Sequence, residues 1–178
     1  RDSLRLYAVT DRSWLGEQTL CEQVEEALRG GATMVQIREK ELDEADFEDE
    51  AREIQKLCRK YQVPLIINDN VALAKRVDAD GVHIGQSDME MKNARELLGE
   101  DKIIGVTAKT IAQAKAAEAA GADYHGSGAV FGSSTKLDAK PMEHALFQEI
   151  CESVAIPVVA IGGITADNVM QLKGRGMA

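Results

Sequence analysis

The segment Gln36-Ile37-Arg38-Glu39-Lys40 of this 178-residue sequence sets an amide, a guanidinium and an ammonium at alternate positions. Extended backbone alternates its faces, so Gln36, Arg38 and Lys40 share one side while Ile37 and Glu39 take the other. A guanidinium fork beside an ammonium suits a diphosphate, although a solvated charged loop reads the same from this segment alone. Asn68-Asp69-Asn70 follows the wholly apolar run Leu65-Ile66-Ile67. Asp69 there is either a ligand for a hard cation or a cap for the next helix. Gly81-Val82-His83-Ile84-Gly85-Gln86-Ser87-Asp88 brings a second carboxylate, and two carboxylates with water and phosphate oxygens are a usual way to hold Mg2+. Imidazole suits softer ions, so His83 is read as a barrel-lining, hydrogen-bonded residue; His125 and His144 are also read as structural.

Further along, Thr107 and Lys109 offer a hydroxyl and another cation. Residues 126–136 form a Gly-rich turn running into Ser133, Ser134, Thr135 and Lys136, which is either a flexible polar loop or a wrap of N–H and hydroxyl donors around a phosphate. Its spacing is not that of a P-loop, which argues against an ATPase. Gly162-Gly163 precedes what reads as a helix start, where close backbone approach and the helix dipole favour an anion; a tight turn explains the pair equally well.

These clusters need a scaffold that brings them together. Short β-branched runs alternate with helical stretches throughout, the pattern of repeated βα units on a parallel sheet. Strands are expected at 6–10, 34–37, 65–67, 81–84, 103–106, 124–128 and 158–161. Helices are expected at 19–29, 43–60, 71–77, 91–98, 111–120 and 142–154, with a last one capped by Thr165 or Asp167 and running to Leu172. A doubly wound sheet has the same alternation, but nearly every strand here ends in a polar cluster. That is the layout of a (β/α)8 barrel, whose site is assembled from many strand C-termini. The expectation is therefore an α/β fold, a (β/α)8 TIM barrel forming one domain over residues 1–178, with the eighth strand missing from the sequence and the chain a trimmed part of a longer protein.

The net charge of −9 excludes a broad nucleic-acid or membrane surface, so anionic ligands require a local basic pocket. With 44% hydrophobic and 29% charged residues the composition is globular. No apolar run approaches the length of a membrane span and no signal peptide opens the chain, which points to the cytoplasm. Cys21, Cys58 and Cys151 lack metal-ligand spacing and are expected to be reduced.

Taken in order, Leu6-Tyr7-Ala8-Val9-Thr10-Asp11, Gln36 to Lys40, Asn68-Asp69, Gly81 to Gln86 with Asp88, Gly121-Ala122-Asp123-Tyr124, Ser133 to Lys136 and Ile161-Gly162-Gly163-Ile164 resemble the thiamine phosphate synthase family over virtually the whole chain. The resemblance implies Mg2+-dependent coupling of 4-amino-2-methyl-5-hydroxymethylpyrimidine diphosphate with 4-methyl-5-hydroxyethylthiazole phosphate. Diphosphate leaves first, and the thiazole nitrogen attacks the resulting pyrimidine-methyl cation. It also implies that Gln36, Arg38, Lys40, Asn68, Thr107 and Lys136 bind the pyrimidine diphosphate, with Arg38, Lys40 and Lys136 stabilising the departing charge. Asp69 and Asp88 would bind the metal, and Ser133, Ser134, Thr135 and Gly163 the thiazole phosphate. Thr107, Lys109 and the run from Ser133 to Thr135 depart from the family's commoner serine, histidine and threonine-rich run, each keeping a hydroxyl or adding a cation. The rival readings are a thiazole tautomerase-like barrel, which needs no diphosphate or metal site, and a non-catalytic phosphate-ligand binding barrel. A homo-oligomer is compatible with the sequence.

Overall fold

The computed structural model describes residues 1–86, 91–132 and 140–178. Seven strands alternate with six α-helices: β1 (Tyr7–Val9), α1 (Leu20–Arg29), β2 (Met34–Ile37), α2 (Glu44–Lys60), β3 (Leu65–Asn68), α3 (Val71–Arg76), β4 (Gly81–Ile84), α4 (Met91–Leu98), β5 (Ile103–Thr107), α5 (Ile111–Ala119), β6 (Tyr124–Gly128), α6 (His144–Glu152) and β7 (Val158–Ile161). The helix starts follow from local chemistry. Thr19 and Glu22 form a reciprocal capping box on α1, while Asp43, Asn70 and Thr110 accept backbone N–H groups at the starts of α2, α3 and α5.

The strands pair in parallel and in chain order, β1 to β7, with no reversal. A doubly wound sheet would reverse direction at a switch point, so that alternative is set aside. Side chains of alternate strand positions build two cores. Val35, Ile37, Leu65, Ile67, Val82, Ile84, Ile104 and Val106 face the helices, packing with Val24, Leu28, Phe47, Ile54 and Leu73. The intervening positions Met34, Ile66, Tyr124 and their neighbours Tyr7, Ile103 and Val159 face inward.

The sheet is strongly curled. Tyr7 on β1 and Tyr124 on β6 touch through their hydroxyls at 2.7 Å, yet five strand spacings would separate them by about 24 Å in a flat sheet, beyond the reach of two tyrosines. The fold is thus an α/β partial barrel of seven parallel strands. β7 is the more exposed edge, with Ile161 half exposed. The Ala178 N–H donates to Val158 O at 2.8 Å, and the Ala178 side chain joins the inner cluster with Tyr7 and Leu4.

Two expected helices differ. Residues 142–143 stay outside α6 because the Met142 N–H is drawn to Ala129 O at 2.6 Å, fixing the loop to the end of β6. The expected helix up to Leu172 is only a 3-10 turn, Val169–Leu172. Asn168, rather than Thr165 or Asp167, organises its start: its side chain accepts from the Thr165 N–H and donates to Gly163 O, both at 2.8 Å. No helix among the described residues is long and apolar enough to cross a membrane.

Candidate active site

Inward side chains of five strands form a hydrogen-bonded layer beneath an open rim: Tyr7 and Tyr124 reach up from the first positions of β1 and β6 to Gln36, His83 and Thr107, which lie nearer the C-terminal ends of β2, β4 and β5. Gln36, 4% exposed, donates from Nε2 to Tyr7 Oη at 2.8 Å; Tyr7 meets Tyr124; Tyr124 Oη lies 2.9 Å from His83 Nδ1; His83 Nε2 lies 3.0 Å from Thr107 Oγ1. One assignment satisfies every member: each tyrosine accepts from the preceding group and donates to the next. His83 then carries its proton on Nε2, and Thr107 keeps its own hydroxyl hydrogen for the rim. Burial pushes Tyr7 up to about 12 and Tyr124 well above the usual phenol range, so both remain protonated donors. Gly105 makes room for this layer, since a Cβ there would lie 2.1 Å from Tyr124 Cζ.

Above it, Thr10 links the ends of β1 and β2. Its N–H donates to Gln36 O at 2.9 Å, and its hydroxyl accepts the Arg38 N–H at 3.0 Å. Arg38 is half-buried and Lys40 exposed at the rim, where the Lys40 ammonium forms an ion pair with Asp69 from the end of β3. Asp69 has a left-handed backbone, φ 62°, and its N–H donates to His83 O at 2.9 Å. The capping role that Asp69 could have had belongs to Asn70, which accepts the Leu73 N–H at 2.9 Å. Asn68 Oδ1 is buried and has no hydrogen-bond partner among the described residues.

Arg38, Lys40, Asn68 and Asp69 therefore stand at the ends of β2 and β3, above the layer that holds Gln36 and Thr107. Asp88, Ser133, Ser134, Thr135 and Lys136 lie outside the described residues. Gly163 is exposed after β7 with φ 61°, and a Cβ there would approach Phe131 O to 2.8 Å. The helix dipole expected beside it is reduced to the short 3-10 turn. Lys109 is exposed, with its N–H bonded to Gln113 Oε1. His125 is fully buried, bonded through Nδ1 to Ser127 with its Nε2 without a hydrogen-bond partner among the described residues, and His144 bonds Val130 O and packs edge-on against Phe131. The three cysteines are free, and burial pushes Cys58 up to about 12 and Cys151 up to about 11, which leaves them poor nucleophiles.

Sequence reasoning missed Tyr7, Tyr124 and Thr10 as site-building residues. The available signal was Gly105 in mid-strand, since a strand glycine marks close approach by a neighbour. Among the described residues no group of three or more His, Cys, Asp or Glu side chains forms a metal cluster. Asp69 and Asn68 are nevertheless hard oxygen donors side by side on one strand end, the ligand type that Mg2+ prefers.

Comparison with known proteins gives a consistent result. The family model described as thiamine monophosphate synthase matches residues 6–178. The thiamine-phosphate synthase of Clostridium novyi (strain NT) is 49% identical over 174 residues, covering 97% of this chain and 85% of that protein. The thiamine-phosphate synthase of Methanobrevibacter smithii is 48% identical over 174 residues, covering 98% and 83%. The solved structure of a thiamine phosphate pyrophosphorylase from Pyrococcus furiosus superimposes with a TM-score of 0.89 at 39% identity, covering 98% of this chain and 83% of that one.

Proposed function

Because the chain belongs to the thiamine monophosphate synthase family and is an enzyme of the thiamine-phosphate synthase kind, a transferase, we propose that its rim binds a pyrimidine diphosphate on the β2–β3 side and a thiazole phosphate on the β6–β7 side. The observation that carries this reading is the Lys40–Asp69 ion pair. A cation and a carboxylate from adjacent strand ends meet at an open rim, next in sequence to Asn68, whose buried Oδ1 has no hydrogen-bond partner among the described residues. Such a mixed-charge rim complements a ligand that is itself mixed, an anion carrying a cation.

In this reading Lys40 and Arg38 hold the diphosphate oxygens, with Lys136 as a third cation, and these groups stabilise charge as the diphosphate departs. Gln36 and Thr107, held by the tyrosine–histidine layer, orient the pyrimidine ring. Ser133, Ser134, Thr135 and Gly163 receive the thiazole phosphate, so that its ring nitrogen faces the pyrimidine methylene; alignment of two bound rings supplies much of the rate. Asp69 and Asn68 fit Mg2+, with Asp88 as the second carboxylate, and the ion when bound would neutralise the diphosphate as a leaving group. No side-chain nucleophile is needed.

The closed (β/α)8 barrel is proposed on similar grounds. Ala178 bonds the first residue of β7 and packs inward beside Tyr7 of β1, the place that the first residue of an eighth strand takes. The proposal extends to a single barrel domain over residues 1–178 and to work in the cytoplasm.

The direct test is product formation from the two substrates with and without Mg2+. Coupling should require the ion and fall by several orders of magnitude in Asp69→Ala. Isomerisation of a thiazole phosphate without coupling, or full activity in the variant, would overturn the site assignment.

A further inference from the structure

Glu39 sits between the two rim cations and points the other way. Its side chain is 4% exposed, and it accepts from Arg12 Nε at 2.8 Å. The same guanidinium meets the carboxylate of Glu50 on α2, whose side chain is 12% exposed. Arg12 opens the 3-10 turn Arg12–Trp14 that follows β1, and Asp11 caps that turn by accepting from the Ser13 N–H at 2.9 Å and the Ser13 hydroxyl at 2.6 Å. One guanidinium thus ties the exit of β1, the segment after β2 and the body of α2. The hydrogen bond from the Arg38 N–H to the Thr10 hydroxyl ties the same two segments, the exit of β1 and the stretch after β2.

Two largely buried carboxylates against one half-exposed guanidinium leave excess negative charge. Burial first, then the hydrogen bond and charge of Glu39, push the Glu50 carboxyl up to about 8, with Glu53 adding to the effect and Arg12 opposing it. Glu50 Oε1 is buried without a donor among the described residues. Buried ion clusters of this kind contribute little net stability compared with apolar packing, but they fix geometry, because removing one partner strands the others.

We propose that Glu39 is a positioning residue for the coupling reaction: through Arg12 and Glu50 it sets the course of the chain from Arg38 to Lys40, so that both cations face the diphosphate. Glu39 touches no substrate itself. The inference rests on the assignment of Arg38 and Lys40 to the diphosphate.

Steady-state kinetics of Glu39→Gln and Arg12→Lys, with melting temperatures, test it. Each variant should raise KM for the pyrimidine diphosphate about tenfold or more while leaving KM for the thiazole phosphate within about twofold, since displaced cations cost most where they bind. If Glu39→Gln does not fold, Arg12→Lys reads the same split, because it keeps the charge and loses the fork. Unchanged KM values, an equal rise in both, or a loss of melting temperature alone overturns the proposal. Arg38→Ala separates the two levels. If it spares KM for the pyrimidine diphosphate, the diphosphate assignment fails and the positioning role falls with it. If it raises that KM and Glu39→Gln does not, only the positioning role falls.

Discussion

Tyr124 Oη stands 2.7 Å from Tyr7 Oη and 2.9 Å from His83 Nδ1, so one phenol on β6 joins β1 to β4 across the interior of the partial barrel. Tyr124→Phe removes that junction and leaves two buried groups short of a partner. A loss of about 1–3 kcal/mol is expected, read from the urea midpoint. An unchanged midpoint would mean that the layer does not act as a unit.

Gly105→Ala forces a methyl group into the Tyr124 ring, which lies in a fully packed layer and cannot swing aside. Overpacking of this sort costs about 1–3 kcal/mol. Calorimetry should show a lowered Tm for Gly105→Ala, and an unchanged Tm would mean that the Tyr124 ring gives way to the methyl group.

Adjacent residues Asp69 and Asn70 should separate activity from folding. Asp69→Asn removes the charge at the rim; its ion pair with Lys40 is partly exposed, so stability should change by less than about 1 kcal/mol while Mg2+-dependent coupling collapses. Asn70→Ala removes the α3 cap and should cost about 1 kcal/mol with coupling retained in the folded fraction. The reverse pattern in paired melting and activity measurements would exchange their roles.

The Glu50 carboxyl makes stability depend on pH in a definite direction. Its titration is raised in the folded chain from the ordinary 4.5 to about 8, so between these values the folded state binds more protons than the unfolded one. Stability from this group is therefore highest below about pH 4.5 and declines as pH rises toward 8. Glu50→Gln should flatten that decline in melting curves taken across the window. A slope identical to the parent's would assign the proton elsewhere.

Helix positions could be read from the sequence: α4 spans the expected residues, and α1 and α2, whose apolar residues recur at helical spacing, begin immediately after the caps Thr19 and Asp43. Alternation along β2 was legible for Gln36, which turns inward to Tyr7, and for Ile37, which packs on the helices; beyond the strand, Lys40 and Glu39 part toward Asp69 and Arg12. What could not be read depends on contacts between distant segments. Asn168 turns back on Thr165 and Gly163 and so replaces a helix by a short turn. Arg12 and Glu39 are 27 positions apart, and nothing in either segment announces the other. Asp69 was locally ambiguous between cap and ligand, and only the Leu73 N–H donating to Asn70 Oδ1 shows that the cap of α3 is Asn70.

The left-handed backbone of Asp69 has an evolutionary corollary. Glycine adopts φ 62° without the penalty of about 1 kcal/mol or more that a side chain incurs there, so Asp69→Gly would largely offset the lost ion pair and keep the chain folded. Selection for robustness alone would thus drift toward glycine at this position. A lineage that gave up the reaction should lose this carboxylate early, and the swap would leave a well-behaved, inert barrel.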